Sequence, residues 1–287
     1  MSDLGTIGIW SMELRTGSAE AVGDAAAELD DLGYLALWIP GLDGPGTIAQ
    51  VEVLLGATRQ ATIATGVLGL WSQPPAQLAA DHHRLTAAHG PRLLTGIGVS
   101  NADSARSKGQ TYPGAVTAMT DYLDRIDAAT DPIPHNERVL AALGPKMTKL
   151  AAERASGSHP FLVTPQYVAN SREIGGRDML LAPHQIVVLD ESPSDARETA
   201  RGMVGAALGL PSYQANVRRM GFGDDDLASA GSDRLIDAVV AWGDLDAIGG
   251  RIREHFDAGA DHVALQVLAV PGGLTTAQVW RELASMI

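Results

Sequence analysis

The chain has 287 residues, 45% of them hydrophobic and 19% charged, with a formal net charge of −13 and no cysteine. That balance is globular rather than disordered. The acidic surplus argues against nucleic acid or an anionic membrane as partner, and the lack of cysteine excludes disulfides and thiolate-held metals. No apolar run approaches the roughly 20 residues of a membrane span, and "MSDLGTIGIWS" lacks the basic and long apolar segments of a secretion signal, so a cytoplasmic protein is expected.

In chain order, "GTIGIWS" (5–11) reads as a strand and "SAEAVGDAAAELDDLGY" (18–34) as a helix, with Ser18 as N-cap and Gly33 past its end. "ALWIP" (36–40) is a second apolar run, "IAQVEVLLGATR" (48–59) has helical spacing, and "ATIATGVLGL" (61–70) is strand-like. "PPAQLAADHHRLTAAHG" (74–90) is a helix with proline in its first turn. "RLLTGIGVSN" (92–101) follows as a fourth strand that ends in glycine, apolar, glycine.

"GAVTAMTDYLDRIDAA" (114–129) then reads as helix, "RVLAALG" (138–144) as strand and "KMTKLAAERASG" (146–157) as helix. "HPFLVT" (159–164) and "HQIVVL" (184–189) are strands flanking a short helix, and the segment 192–243 reads as entirely helical. A helix at 245–260, a strand at 261–270 and a last helix, "TTAQVWRELASMI", close the chain.

Eight short, continuously apolar strands separated by helices predict a parallel sheet covered on both faces, a (β/α)₈ TIM barrel with its site at the strands' C-terminal ends. An open doubly wound sheet is the weaker alternative, because "GIG" at 96–98 lacks the third glycine of the dinucleotide fingerprint. The expected strand ends present no carboxylate pair, no trio of metal ligands and no Gly-x-Ser-x-Gly elbow, so no metal is expected. Lys146 is the one candidate for a Schiff base and falls instead at a helix start. The ends are apolar, aromatic and glycine-rich, which suits a flat cofactor that carries the chemistry. "ALGPKM" (142–147) is the best phosphate candidate, since a helix start with unpaired N–H groups attracts anions. The histidines read as structural. His82 and His83 point apart on one helix, and His89, His255 and His262 read as surface or capping residues. His159 and His184 begin strands, away from the mouth, and only His135 is placed to reach it.

Nearly end to end, the chain resembles the luciferase-like superfamily of flavin and deazaflavin oxidoreductases, in particular a subfamily of probable F420-dependent oxidoreductases. The resemblance is carried by "LGYLALWIP", "ATIATGVLGLW", "PRLLTGIGVSNA", "AMTDYLDRIDAA", "VLAALGPKMTKLAAERASGSHPFLVTP", "GFGDDDLASAGSDRLIDAVVAWGD" and "DAGADHVALQVL". It implies a single luciferase-like barrel over 1–287, with insertions near 101–116 and 192–243, and commonly a homodimer. It implies hydride transfer between coenzyme F420 and a small organic substrate. The alternatives are an FMN-dependent reductase or monooxygenase and a non-catalytic deazaflavin-binding homologue. Gly66, Val67 and Leu68 would bulge through a non-prolyl cis peptide and support the ring near Trp38. Leu143, Gly144, Pro145, Lys146, Met147 and Thr164 would lie against the phosphate-bearing tail. Gly96 and Gly98 would keep the barrel floor thin, Ser100 and Asn101 would face the cofactor, and Asn101 is the candidate catalytic residue.

The departures from the pattern are specific. Relatives that oxidise sugar phosphate or alcohol carry an acid and a histidine after the second strand's tryptophan, where this chain has Ile39, Pro40, Gly41 and Leu42 after Trp38. A carboxylate that some relatives place after Gly-x-Gly is here Val99. Asn101 replaces an expected histidine, and Gln166 and His184 replace expected glutamates. The usual proton-handling groups are absent, which suits reduction of an activated double bond with solvent delivering the second hydrogen.

Overall fold

The computed structural model describes residues 3–41 and 46–287, which leaves Leu42 outside the described residues. Strand β1 (Ile7–Trp10) leads through α1 (Glu13–Thr16) and α2 (Ala19–Asp31) to β2 (Ala36–Ile39). Next come α3 (Thr47–Ala57), β3 (Thr62–Thr65), β4 (Leu68–Gly69), α4 (Pro75–His89) and β5 (Leu93–Gly98). After α5 (Ala102–Ser107) and α6 (Ala115–Asp127) come β6 (Arg138–Leu140), α7 (Pro145–Arg154), β7 (Gly157–Ser158), α8 (Pro165–Gly175), β8 (Leu180–Leu181) and β9 (His184–Leu189). Helices α9 (Pro193–Leu208), α10 (Pro211–Arg219), α11 (Asp224–Leu227) and α12 (Asp233–Val239) precede β10 (Val240–Gly243). The chain ends with α13 (Leu245–Asp257), β11 (Val263–Val267) and α14 (Thr276–Leu283).

The sheet runs β10-β9-β11-β1-β2-β3-β5-β6-β7-β8, with β4 on β5. It closes because β8 continues through Ala182 and Pro183 into β9. Thus one stretch of chain pairs with β7 at its start and β11 at its end, and the bridge from Phe161 to His184 completes the ring. The eight staves are β1, β2, β3–β4, β5, β6, β7, β8–β9 and β11, while β10 extends the C-terminal half of β9.

Two apolar layers explain why the strands read as unbroken apolar runs. Leu37 and Ile39 face the helices with Val22, Leu29 and Leu54. Ala36 and Trp38, from alternate positions of the same strand, fill the barrel with Trp10, Ala64, Leu94 and Ala264. Helix starts follow local chemistry: Ser18, Asn101, Thr164, Ser192 and Asp244 cap through their side chains, and proline opens α4, α7, α8, α9 and α10.

Three expectations change. The run 61–70 is two strands, not one, broken at a cis Gly66–Val67 peptide. The strand placed at 159–164 lies earlier, at Gly157–Ser158, and continues only as the bridge at Phe161, because Pro160 has no N–H to donate. The segment 192–243 is not wholly helical: it ends in β10, whose "VAWG" follows α12 with no glycine or proline between.

Candidate functional site

The glycines of "GIG" serve a close approach of backbone to backbone. A methyl group on Gly96 would lie 1.8 Å from the carbonyl oxygen of Thr65, and one on Gly98 would lie 2.6 Å from Cγ2 of Val67. One on Gly41, after β2, would lie 2.1 Å from the Val67 carbonyl oxygen. The three glycines are therefore the recess that receives the Gly66–Val67 turn, which presses onto β5 from inside the mouth. Trp10 Nε1 donates to Gly66 O at 2.9 Å, and Trp71 Nε1 donates to Val99 O. The first residues after β3, β4, β5 and β6 are Gly66, Leu70, Val99 and Ala141, none of them charged.

Of the residues expected here, Val67 is half-exposed and Leu68 is buried. Asn101 is the N-cap of α5, its Oδ1 accepting from Ser104 N at 2.9 Å. Ser100 takes a left-handed backbone (φ 58°) and pairs its hydroxyl with that of Ser104. Trp38 is 0% exposed and supports the mouth from below rather than lining it.

Beneath the mouth lies a stack of rings that the sequence reading did not anticipate. Trp38 stacks on His159 with centroids 4.0 Å apart, His159 on His184 at 5.7 Å, and His184 on both Trp10 and Phe161. His262, expected at the surface, is buried and accepts from Trp38 Nε1 at 3.0 Å while its Nδ1–H donates to Gly5 O. His255, also expected at the surface, is buried against Gln185. His135, expected to reach the mouth, sits just before β6 at the opposite end of the barrel, 3.8 Å from Asp127. Burial pushes His159 down to about 3 and His255 and His262 to about 4, and it holds His184 well below the ordinary range. These rings are neutral near pH 7 and cannot act as acids there. The available signal was alternation: His184 shares the inward face of β9, and His262 fills the space left by Gly8, where a methyl group would lie 2.7 Å from its ring.

The α7 start gathers the expected tail residues. Gly144 is its N-cap with no side-chain cap, Pro145 follows, Lys146 is exposed and Met147 buried. Leu143 O accepts from Arg219 Nη2 at 2.9 Å, and Tyr167 donates from its hydroxyl to Ala142 O at 2.8 Å. Thr164 caps α8 beside it and turns its hydroxyl toward Met220. Arg219 and Met220 come from the end of α10, and no local signal marked them as site residues. A cleft of about 390 Å³ opens beside the mouth between Trp71, Gln73, Gln110 and Tyr122. A second, about 490 Å³, lies at the ends of β9 and β10 among Asp190, Glu191, Asp244 and Asp246. Among the described residues no group of three or more His, Asp or Glu is placed to hold a metal ion.

The fold is one found in known proteins. The structure superposes on an F420-dependent secondary alcohol dehydrogenase in complex with an F420–acetone adduct, with a TM-score of 0.76 and 15% identity over 100% of this chain and 98% of that one. It also superposes on the coenzyme F420-dependent tetrahydromethanopterin reductase from Methanopyrus kandleri (TM-score 0.72, 16% identity, 98% of each chain). The oxygenating constituent of 3,6-diketocamphane monooxygenase from Pseudomonas putida, in complex with FMN, gives a TM-score of 0.69 at 15% identity, over 99% of this chain and 97% of that one. At these identities the likeness is one of fold. Comparison with proteins of curated function finds no match. The sequence profile of the luciferase-like monooxygenase family matches residues 6–262, almost the whole barrel, and the chain belongs to that family.

Proposed function

We propose that the protein is an oxidoreductase that holds coenzyme F420 at the C-terminal mouth of the barrel and transfers a hydride between it and a small organic substrate. The observation that carries this reading is the juxtaposition of an uncharged, aromatic rim at β3–β6 with an uncapped helix start flanked by Lys146 and Arg219. A ring without charge fits the first, and a phosphate fits the second. The residues present thus fit the two halves of such a cofactor. When bound, it supplies the carbon that gives or takes the hydride. The chain's own residues bind, orient and exclude water. Val67 and Leu68 would support the ring, with Trp38 beneath them, and the start of α7 with Thr164 would hold the tail. Trp71 and Val99 would keep the reacting face dry. Ser100 and Asn101 would orient the substrate from the rim, the cap leaving the Asn101 carboxamide nitrogen as a donor. With buried neutral histidines and no carboxylate following β3 to β6, the second hydrogen comes from solvent.

The test is a fluorescence titration of the purified protein with coenzyme F420, with FMN in parallel. Saturable micromolar or tighter binding of the deazaflavin alone, followed by substrate-dependent oxidation of its reduced form, supports the reading. Preference for FMN moves the assignment to a flavin reductase or monooxygenase. Tight F420 binding without turnover of any candidate substrate makes the protein a carrier, and binding of neither ring overturns the proposal.

A further inference from the structure

Three of the five tyrosines direct their hydroxyl protons to backbone carbonyls: Tyr34 to Trp280 O at 2.8 Å, Tyr122 to Gln73 O at 2.7 Å and Tyr167 to Ala142 O at 2.8 Å. Tyr213 does not. Burial alone pushes its pKa up to about 12, and its hydroxyl has no hydrogen-bond partner among the described residues. Near pH 7 it is therefore a protonated donor in want of an acceptor, although a buried tyrosine hydroxyl normally finds one. The side chain is part-buried, and its hydroxyl, unlike the enclosed Asn216 Nδ2, is open to solvent.

Tyr213 lies in the first turn of α10, on a stripe shared with buried Val217 and part-buried Met220. Both ends of that stripe rest on the chain leaving β7 at the mouth. Met220 meets Thr164, and the Tyr213 ring stands edge-on to Phe161 with centroids 5.8 Å apart. Phe161 stacks on His184 at 4.3 Å, His184 stacks on Trp10 at 4.5 Å, and Trp10 Nε1 donates to Gly66 O at 2.9 Å. A continuous line of rings thus ties Tyr213 to the Gly66–Val67 turn across the mouth. Leu268 and Val270, in the chain leaving β11, belong to the same apolar cluster as Phe161 and Tyr213. None of these side chains carries charge. The missing acceptor is therefore a neutral oxygen on a ligand, since an anion would be desolvated there without a counter-charge.

We propose that Tyr213 contacts the substrate, its O–H donating to the carbonyl oxygen of an α,β-unsaturated ketone or aldehyde seated between α10 and the ring site. The inference rests on the reading that a reduced deazaflavin or flavin gives up a hydride at the mouth, and it names the substrate class and a residue that recognises it. The hydride adds to the β-carbon, the double-bond pair moves onto the carbonyl oxygen, and the Tyr213 hydroxyl stabilises that charge while keeping its proton. Solvent protonates the α-carbon as the pair returns from oxygen. A donor fixed where charge develops favours the transition state over the ground state. It supplies a polar contact that the uncharged rim at β3 to β6 lacks.

The test uses Tyr213→Phe, which removes one oxygen and keeps the ring against Phe161. Stability should not fall, because no hydrogen bond within the protein is lost. Protein carrying tyrosine isotopically labelled at Cζ gives five phenol resonances in carbon NMR, and the one missing from Tyr213→Phe belongs to Tyr213. The labelled protein is titrated with cyclohex-2-enone and with cyclohexene, which lacks the carbonyl, each alone and with F420 or FMN present. The enone should shift the Tyr213 resonance saturably, and cyclohexene should leave it in place. With reduced F420, Tyr213→Phe should lower kcat/KM for the enone about 3- to 10-fold, the share of one neutral hydrogen bond, and leave Kd for F420 within about twofold. A Tyr213 resonance that the enone never moves, or that cyclohexene moves equally, overturns the inference. A saturable enone shift in a protein that binds neither ring, or turns nothing over, keeps the donor and removes the hydride reading. Oxidation of reduced F420 by the enone at the same rate in wild type and Tyr213→Phe keeps the hydride reading and removes the donor.

Discussion

Gly96→Ala and Gly98→Ala differ by one methyl group each on neighbouring inward positions of β5, yet their expected costs differ widely. At Gly96 the new methyl falls 1.8 Å from Thr65 O, about 1.5 Å short of an ordinary carbon–oxygen contact. The obstacle is backbone, and it is held in place: Thr65 Oγ1 donates to Gly96 O at 2.9 Å and accepts from Gly96 N at 2.8 Å. Relief requires β3 and β5 to part. That loses two buried hydrogen bonds, about 0.5–1.5 kcal/mol each, on top of about 1–3 kcal/mol for overpacking. The expected loss is roughly 3–5 kcal/mol, a large share of a typical total of about 5–15 kcal/mol. At Gly98 the obstacle is Cγ2 of Val67 at 2.6 Å, part of a side chain that can turn, so the loss should stay near 1–3 kcal/mol. Gly202, exposed in α9 with nothing within 4 Å of an added methyl, is the control, and Gly202→Ala should stabilise by about 0.5–1 kcal/mol. Urea unfolding followed by tryptophan fluorescence ranks the three. The reasoning fails if Gly96→Ala lies within about 1 kcal/mol of wild type, or if Gly98→Ala is the worse of the two.

Three further outcomes follow from the same structure. Asp127 forms an ion pair with Arg138 Nη1 at 2.7 Å, with Arg138 0% exposed, and accepts from Arg154 Nη2 at 2.8 Å. Asp127→Asn should therefore cost about 3–5 kcal/mol by leaving a buried guanidinium without its counter-charge, although its Nε still donates to Arg154 O, and an unchanged urea midpoint would refute this. Burial alone would raise the Asp127 carboxyl, but the two arginines outweigh it, so its contribution is present at neutral pH and lost as pH falls through its lowered folded value. The histidines act in the same direction at higher pH. The unfolded chain takes up protons below about 6.5, whereas folded His159 waits until about 3 and His255 and His262 until about 4. Stability should fall as pH drops from about 6.5 toward 4, by up to about 1.4 kcal/mol per pH unit for each ring, and equal urea midpoints at pH 7.5 and pH 5 would contradict it. Finally, Asn101→Ala should remove the α5 cap, about 1 kcal/mol, and lower kcat more than cofactor affinity. Asn101→Ser restores the cap, so turnover lost in both variants belongs to substrate orientation, and a fall in affinity alone rules that role out.

How far the site could be read in advance depended on whether its parts were local. "ALGPKM" announces a proline-opened helix start, and the structure has one at Pro145, with Lys146 exposed beside it. "GIG" read as glycines that keep the barrel floor thin under a cofactor, whereas the groups they admit are Thr65 O and the Val67 turn from another strand. Asn101 read as a site residue because it ends a strand, and its position before α5 also makes it a cap. Arg219 carried no signal, since it lies 75 residues and several elements beyond Gly144 and meets Leu143 only through the packing of α10.

By itself the sequence determined the barrel. Apolar runs spaced by helical patterns, with serine, threonine, asparagine or proline at the helix starts, satisfy backbone hydrogen bonding and burial segment by segment, and each segment carries that information locally. What the tertiary structure alone decided is which side chains share a space. The ring stack of Trp38, His159, His184 and Trp10 draws on four staves, and His262 joins it from a fifth. Closing the sheet converts inward alternation on separate strands into one filled interior. A histidine there becomes neutral packing rather than a surface charge, because desolvation is set by neighbours distant in sequence and not by the residues on either side.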